Sequence, residues 1–424
     1  MDPVQDRDSK PQPPPFHLTG AYAPLREEHT LLDLEVVGEI PPELCGTYLR
    51  NGPNPKSGVS PAWFAAEGML HGVRLEGGRA LWYRNRGMSG GALPNTNVVR
   101  HAGRILALVE TRLPVEVGPE LETVGTYDFG GEMKRPVSAH PKTCPTTGEL
   151  VFLSNDREPP YLTIYRADAR GRVVHATPIS LSAPTYMHDV ALTETSVIFW
   201  ELPILVGDWR SPNPLRWLEG RPTRIGVLPR DGQERDLTWF EVPPCSISHT
   251  MNAFDDGDRI VVDVNRGPGI WTAHSLVRFV LDRRTGLARE EVLEPRFVDF
   301  PRVHPSVVGK RYRFGYALEV SDWESGGFQK SVPRKYDLET GQCRVHDFGS
   351  HTLSGECVVA PRPGATSEDD AWALLFVYDR LRDASDLVIL DAKRFDEPPV
   401  ATVRLPHRVP VGIHGEWLPD AGTP

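Results

Sequence analysis

The sequence predicts an all-β protein, and a β-propeller is the favoured architecture. Short β-branched or alternating runs recur along the 424 residues, turn-forming sequences separate many of them, and convincing helical periodicity is scarce. Turns such as Pro-Thr-Thr-Gly and Arg-Thr-Gly favour antiparallel hairpins over crossover helices. A closed radial fold suits many short strands because it leaves only short edges, and a pair of β-sandwiches is the alternative. The principal strand candidates are residues 104–110, 149–153, 195–200, 259–264, 371–379 and 386–392.

Composition supports one large folded domain behind a short arm. The chain contains 38 glycines and 41 prolines, with 39% hydrophobic and 25% charged residues, which is typical of a turn-rich globular protein with a sizeable core. The proline-rich start cannot sustain a helix, so residues 1–15 are expected to form a flexible arm. No later linker of similar composition interrupts the chain, and residues 16–424 are therefore assigned to a single domain.

Charge and cysteine usage exclude several classes of function. A formal net charge of −10 provides no basic field, so we expect no nucleic-acid partner. The five cysteines are dispersed without a Cys-x-x-Cys pair, which argues against disulfides and a thiolate zinc site and favours a reducing compartment. Neither a secretion signal nor an apolar run long enough to cross a bilayer is evident. We therefore expect a cytoplasmic protein, and a peripheral membrane contact is left open.

Four histidines stand at positions that could converge. His140 and His188 precede strand candidates, His249 precedes the run 259–264, and His414 lies close to the end of the sequence. Strands that surround one axis present their ends to the same opening. Four neutral imidazoles suit iron(II), add no negative charge and leave one or two coordination positions free for dioxygen.

Three carboxylates occur in otherwise apolar segments. Glu110 ends the run RILALVE, Asp299 lies inside RFVDFPRV, and Glu356 lies inside LSGECVVAP. A metal-bound histidine usually donates its second ring N–H to an acceptor, and carboxylates commonly take this role. By composition alone, strand-end carboxylates facing water are the more frequent case.

Six further segments follow one another in an order that spans nearly the whole chain. They are GTYLRNGPNP (46–55), EGMLHGV (67–73), MHDVALTE (187–194), HTMNAF (249–254), DFPRV (299–303) and VGIHGEW (411–417). Together they resemble the carotenoid cleavage oxygenase family. The resemblance implies a seven-bladed β-propeller covered by a dome of loops and short helices. It also implies one iron(II) per chain and cleavage of a conjugated double bond with dioxygen as co-substrate, giving two carbonyl products.

The resemblance also assigns roles to the residues above. His140, His188, His249 and His414 become the iron ligands. The three carboxylates become acceptors behind three of these histidines, and His140 is expected to lack such a partner. Many members carry glutamate where this chain has Asp299, so the backbone must approach by about one C–C bond length for the shorter side chain to serve. His71 also lies in a family motif and is interpreted as structural, because four other histidines complete the set.

The residue before Glu110 bears on the substrate. Stilbene-cleaving members of the family tend to carry a lysine there, which meets the phenol oxygen, whereas this chain has Val109. An apolar side chain cannot stabilise a phenolate, so an apolar carotenoid or apocarotenoid is the favoured substrate. Trp63, Phe64 and residues 202–209 are candidates for tunnel walls or an entrance lip, and ordinary packing explains them equally well. A stilbene-cleaving enzyme, an alkene isomerase on the same iron, and a non-catalytic binding propeller are the alternatives.

Overall fold

The computed structural model describes residues 14–88, 94–207, 214–270, 272, 274–321 and 327–420. Apart from Pro14 and Pro15, the predicted arm at residues 1–15 lies outside the described residues, as do the last two residues of the segment 202–209. Seven of the sheets formed by the described residues have four or more strands, and together they make a seven-bladed β-propeller. The predicted architecture is confirmed.

The blades are numbered here in chain order from the first sheet. Blade 1 consists of β1 (Thr30–Leu31), β3 (Gly46–Pro53), β4 (Gly68–Glu76), β5 (Arg79–Gly87) and β33 (Gly415–Pro419). Blade 2 consists of β6 (Asn97–His101), β7 (Arg104–Leu108), β8 (Val115–Val117) and β9 (Thr123–Thr126). Blade 3 consists of β10 (Lys142–Thr143), β11 (Leu150–Asn155), β12 (Tyr161–Ala167) and β13 (Val173–Ser180). Blade 4 consists of β14 (Ala191–Leu192), β15 (Ser196–Glu201), β18 (Thr223–Pro229) and β19 (Thr238–Val242).

The remaining strands complete the ring and add one small hairpin. Blade 5 consists of β20 (Ser246–Asp256), β21 (Arg259–Gly267), β22 (Ser275–Asp282) and β23 (Leu287–Glu294). Blade 6 consists of β24 (Val298–Val303), β25 (Phe314–Val320), β26 (Ser331–Asp337) and β27 (Gln342–Val345). Blade 7 consists of β2 (Val36–Gly38), β28 (Thr352–Ser354), β29 (Val358–Pro361), β30 (Ala371–Asp379), β31 (Ala384–Asp391) and β32 (Ala401–Arg404). A separate two-stranded sheet is formed by β16 (Ile204–Val206) and β17 (Leu215–Trp217).

Strands from opposite ends of the sequence close the ring. The last strand, β33, pairs antiparallel with β3 in the register Gly46↔Pro419 to Arg50↔Gly415. The early strand β2 pairs with β32 in blade 7. Each of these pairings joins distant segments of the chain by backbone hydrogen bonds.

All six strand candidates form strands, with small differences at their ends. The candidate 104–110, for example, ends as a strand at Leu108, so Glu110 lies just beyond it. The first strands of blades 3 and 4 contain only two residues each and were not predicted. Two residues are too few to display an alternating pattern.

The core lies between neighbouring blades. One large cluster joins blades 3, 4 and 5 around the wholly buried rings of Phe199, Trp200 and Phe240. Strands buried on both faces account for the continuous apolar runs of the sequence. The helical turns in the described residues are 3₁₀ helices at Phe16–Leu18, Gly20–Tyr22, Trp63–Ala65, Glu234–Asp236, Pro305–Val307 and Ala392–Arg394. No helix among the described residues has the length and hydropathy needed to cross a membrane.

Candidate metal centre

Each of the seven blades places one of the predicted site residues at the propeller centre. The four histidines come from consecutive blades 3, 4 and 5 and from blade 1, and the carboxylates come from blades 2, 6 and 7. His140 lies two residues before the short first strand β10, His188 lies three residues before β14, and His414 directly precedes β33. The seven blades thus supply four histidines and three carboxylates, so one histidine is left without a carboxylate partner.

His249 differs from the other three because it lies within a strand. The register of β20 against β21 shifts on either side of Thr250, next to His249. Bulges of this kind bend a strand and redirect side chains, and they are frequent near functional sites. A similar shift follows Asp299 in β24, where Phe300 takes a left-handed φ of 56°. Both irregularities turn one side chain toward the centre.

The four imidazoles form a compact buried cluster. One ring nitrogen from each residue lies within 4.8 Å of the others. The ring of His140 lies 4.3 Å from that of His188, 4.9 Å from that of His249 and 4.5 Å from that of His414, measured between centroids. The structure therefore brings together all four histidines that the sequence singled out.

Three of the rings turn their other nitrogen toward a carboxylate. His249 Nδ1 donates to Asp299 Oδ1 at 2.6 Å, and His414 Nδ1 donates to Glu356 Oε1 at 3.0 Å. His188 Nδ1 lies in ion-pair contact with Glu110, although the contact departs from linear hydrogen-bond geometry. A carboxylate can only accept, so each of these contacts holds the proton on Nδ1 and leaves the lone pair on Nε2.

The fourth histidine, His140, comes from the blade between the two blades that contribute the Glu110–His188 pair. His140 belongs to blade 3, and the carboxylate of blade 2, Glu110, reaches His188 of blade 4. No ion pair to His140 occurs among the described residues, and its Nε2 has no hydrogen-bond partner there. Among the described residues, Glu110 is thus paired with His188 and not with His140.

Glu356 is held by more than its histidine. Its Oε2 accepts the backbone N–H of Gly415 at 2.8 Å and Arg302 Nη2 at 2.9 Å. Burial raises the pKa of Glu356, but Arg302 and then His414 outweigh it and hold that pKa at about 2. The carboxylate is therefore ionised at neutral pH.

Protonation elsewhere in the cluster follows burial and neighbouring charge. Burial raises the pKa values of Glu110 and Asp299, yet their histidines lower both below the usual range. Burial, followed by the charges of the other histidines, lowers the pKa of His140 well below its usual value. Burial likewise lowers the pKa of His414 to about 4 despite Glu356, whereas Asp299 outweighs burial and raises the pKa of His249.

The donor set fits a bound divalent metal. His188 Nε2 and His249 Nε2 lie 3.2 Å apart with both protons held on the opposite side of the rings, so two lone pairs face each other. Such an approach is repulsive unless a cation lies between the lone pairs. Two metal–nitrogen bonds of about 2.1 Å that meet at about 90 to 110° place their nitrogens about 3.0 to 3.4 Å apart. The buried Nε2 atoms of His140 and His414 also lack hydrogen-bond partners among the described residues.

Three asparagines that the sequence reasoning missed support the site. Each donates its side-chain N–H to the carbonyl that directly precedes a site residue in the next blade. The bonds run from Asn97 Nδ2 to Ala139 O (2.8 Å), from Asn155 Nδ2 to Met187 O (2.7 Å) and from Asn265 Nδ2 to Val298 O (2.7 Å). Asparagine alone gives no signal of this kind in a sequence, because the partner lies on another blade.

The remaining described residues named in the sequence analysis lie outside the four-histidine cluster. His71 is buried in β4, where Nδ1 bonds the hydroxyl of Tyr83 at 2.9 Å, as a structural histidine would. Val109 is buried next to Glu110. Trp63 and Phe300 belong to the same buried cluster, whereas Phe64 is exposed. Within the segment 202–209, Leu202 and Ile204 belong to the core between blades, which favours packing as their role.

Comparison with known proteins identifies the family. The family model described as retinal pigment epithelial membrane protein matches residues 22–93 and 87–419. A carotenoid cleavage oxygenase of Mycobacterium tuberculosis is 33% identical over 95% of this chain and 97% of its own length. This chain belongs to the carotenoid cleavage oxygenase family.

Further members of the carotenoid cleavage oxygenase family agree with the fold. The carotenoid 9,10(9',10')-cleavage dioxygenase 1 of Arabidopsis thaliana is 30% identical over 96% of this chain and 90% of its own length. The crystal structure of a Pseudomonas brassicacearum lignostilbene dioxygenase superposes with a TM-score of 0.89, at 26% identity over 97% of this chain and all of that chain. A cobalt-substituted Synechocystis apocarotenoid oxygenase superposes with a TM-score of 0.85, at 25% identity over 94% of this chain and 97% of that chain. Membership and the four-histidine cluster together make this chain an oxygenase.

Proposed function

We propose that this chain is an iron(II)-dependent dioxygenase that cleaves a conjugated double bond of a carotenoid or apocarotenoid with dioxygen, giving two carbonyl products. The observation that carries the proposal is the set of four imidazoles whose Nε2 lone pairs converge, three of them backed by carboxylates. One iron per chain would be held by His140, His188, His249 and His414.

Nitrogen ligands without charge favour iron(II) over the hard cations that prefer oxygen donors. Bound iron(II) would supply an electron-rich site at which dioxygen is activated. Glu110, Asp299 and Glu356 hold the proton of each partner imidazole on Nδ1 and so keep the Nε2 lone pair directed at the centre. None of these carboxylates needs to move a proton during the reaction.

Apolar side chains next to the histidines suit a hydrocarbon substrate. The ring of Phe300 lies 5.7 Å from that of His249 and 5.4 Å from that of His414, measured between centroids. A cavity of about 30 Å³ beside it is lined by Phe328 and Ile413 among other, mainly apolar residues. Apolar side chains of this kind exclude water from the space beside the histidines.

Val109 supports a polyene over a phenolic stilbene. It is buried and apolar, and it directly precedes Glu110, which contacts His188. A phenolate at this position would gain no stabilising charge from it. Stilbene cleavage remains the second candidate because a lignostilbene dioxygenase shares the fold along the whole chain.

We further propose a cytoplasmic protein that contacts a membrane to collect its apolar substrate. The five cysteines are all unpaired, and three of them are buried, which suits a reducing compartment. Phe64 and Leu32 are large exposed apolar residues that a bilayer surface could accept. Co-sedimentation of the protein with phospholipid vesicles tests this part, and a protein that stays in the supernatant at all lipid concentrations would contradict it.

The decisive experiment loads the protein anaerobically with iron(II) and then supplies ¹⁸O₂ with carotenoids, apocarotenoids or 4-hydroxystilbene in parallel. We expect one iron per chain and aldehydes from a polyene, with ¹⁸O from dioxygen in both products when exchange with water is corrected for. The metal-free protein serves as the control and should give no product. Failure to retain stoichiometric metal, or products from the stilbene alone, would overturn the assignment in distinguishable ways.

A further inference from the structure

A buried carboxylate outside the set described above links three of the four histidine segments. Asp189 directly follows His188 and is 1% exposed. Its Oδ2 accepts the backbone N–H of Thr250, which directly follows His249, at 2.8 Å. Its Oδ1 forms an ion pair with the ammonium of Lys142, two residues after His140, at 2.8 Å.

The backbone reinforces the same connection. Asp189 and His140 form an isolated parallel β-bridge between blades 3 and 4. Oδ1 also accepts the N–H of Val190 at 2.7 Å, which fixes the rotamer of the Asp189 side chain on its own backbone. Three donors from three consecutive blades therefore meet on one carboxylate.

We propose that Asp189 is a positioning residue for the metal centre, whose carboxylate holds the segments of His140, His188 and His249 in a fixed relation. The inference rests on the proposed metal site. It differs from the roles of Glu110, Asp299 and Glu356 because Asp189 acts on the backbone and on Lys142, while those residues act on imidazole nitrogens.

The chemistry of the site requires a carboxylate. Two oxygens that only accept can satisfy the ammonium and both backbone N–H groups at once. An asparagine has one oxygen, so its NH₂ would face either the ammonium or a backbone donor and leave that donor unsatisfied in a buried site. Asp189, Lys142 and Thr250 each lie within two residues of one of the histidines. A displacement of these segments would therefore also move the ring nitrogens.

Lys142 completes the arrangement from the His140 side. Its side chain is 21% exposed, so its removal is better tolerated than a change at Asp189. The Lys142→Met variant retains the length of the stem and loses the ammonium, leaving the Asp189 charge less compensated. Lys142→Arg keeps the cation.

The test uses cobalt(II) in the otherwise intact chain, because its visible absorption bands report the geometry of the ligands without turnover. Asp189→Asn and Lys142→Met are compared with wild type, with Lys142→Arg, and with Asp263→Asn. Asp263 is a matched control: it is wholly buried and accepts Arg278 Nε and Nη2, each at 2.8 Å, in bonds between β21 and β22 that involve none of the histidine segments. Metal affinity is measured by competition with a chelator, and thermal unfolding is measured on the metal-free proteins.

We expect Asp189→Asn to weaken cobalt binding about 10- to 100-fold, the usual effect of losing a supporting group, and to shift the cobalt bands. Lys142→Met should show a smaller effect in the same direction, and Lys142→Arg should restore the wild-type spectrum. Asp263→Asn should lower the unfolding temperature while leaving affinity and spectrum unchanged.

Lower unfolding temperatures in Asp189→Asn and Lys142→Met with unchanged affinity and cobalt bands would overturn the positioning role. Should Asp189→Asn fail to fold, Lys142→Met with its arginine counterpart decides the question by the same two readouts. A wild-type protein that binds no cobalt or iron would instead overturn the proposed function.

Discussion

Asp299 Oδ1 lies 2.6 Å from His249 Nδ1, which makes a one-carbon-shorter side chain than glutamate sufficient at this position. A register shift interrupts β24 next to Asp299, and irregularities of this kind redirect side chains. The same carboxylate accepts the N–H of Phe300 at 2.8 Å, so its orientation is fixed on both sides. Asp299 therefore reaches His249 with the shorter side chain.

Asp299→Asn should weaken metal binding about 10- to 100-fold, because the amide retains the shape but loses the charge that holds the proton on His249 Nδ1. Chelator competition with iron(II) under anaerobic conditions measures the effect. Asp282→Asn is the control, since Asp282 caps a surface turn through the N–H groups of Arg284 and Thr285. Equal metal affinities for the two variants would show that Asp299 has a purely structural role.

Replacing His188, His249 or His414 with alanine should remove most of the bound iron and the activity, while the far-ultraviolet spectrum stays that of an all-β protein. Each substitution deletes one of the converging nitrogens and leaves the blades intact. Metal analysis after gel filtration provides the measurement. His101→Ala is a matched control, because His101 is also buried and bonds the carbonyl of Asp168 outside the cluster. A variant of the cluster that kept full iron occupancy would contradict the assignment of that residue.

The low pKa of Glu356 predicts that the metal-free protein loses folding stability in acid. Its pKa is held at about 2, below its usual value of 4.5, so its ionised form stabilises the fold above pH 4.5 and that stabilisation is lost as the pH falls toward 2. Glu356→Gln should therefore lower stability at pH 7 and show a weaker further loss between pH 4.5 and 3. Urea midpoints at pH 7, 4.5 and 3 check this. Parallel pH profiles for the variant and wild type would show that Glu356 does not carry the effect.

Loss of the Glu356 charge in Glu356→Gln should also weaken iron retention about 10- to 100-fold, and Glu110→Gln should behave similarly.

Asn155→Ala should weaken metal binding more than its stability cost alone implies, because Asn155 Nδ2 holds the carbonyl of Met187, the residue before His188. Asn54→Ala is the matched control, since Asn54 Nδ2 bonds the carbonyl of Leu25 at a comparable 2.8 Å away from the site. Losing one such bond costs about 1 kcal/mol, and Asn54→Ala also loses the bond that Asn54 Oδ1 accepts from the N–H of Leu25, so the control should be destabilised at least as much. Thermal unfolding should fall in both, whereas cobalt affinity should fall in Asn155→Ala alone. Equal cobalt affinities would contradict a supporting role for Asn155.

Val109→Lys tests substrate choice. An ammonium placed beside apolar walls costs several kcal/mol unless it finds water or a partner, so turnover of an apocarotenoid should fall. Val109→Leu retains an apolar side chain and serves as the control, with little expected change. The measurement is kcat/KM on an apocarotenoid and on 4-hydroxystilbene for all three proteins. A wild-type preference for the stilbene would overturn the substrate assignment and leave the metal site untouched.

The sequence by itself determined the fold class and named the candidate residues of the site. Alternating runs and hairpin turns are local properties, so strands such as β30 and β31 could be read directly from residues 371–379 and 386–392. The candidate ligands could be named because imidazole and carboxylate chemistry restricts which side chains suit a metal, and because their motifs resemble a known family.

Only the tertiary structure decided how these groups are partnered. The pairing of Glu110 with His188 across blade 3, the bulge that turns His249 inward from within β20, and the links through Asp189 all join residues far apart in the chain. Such contacts depend on the order of blades around the ring and on register shifts of single residues. Neither leaves a periodic signal in the sequence, because both arise when the ring closes and each blade comes to lie beside the next.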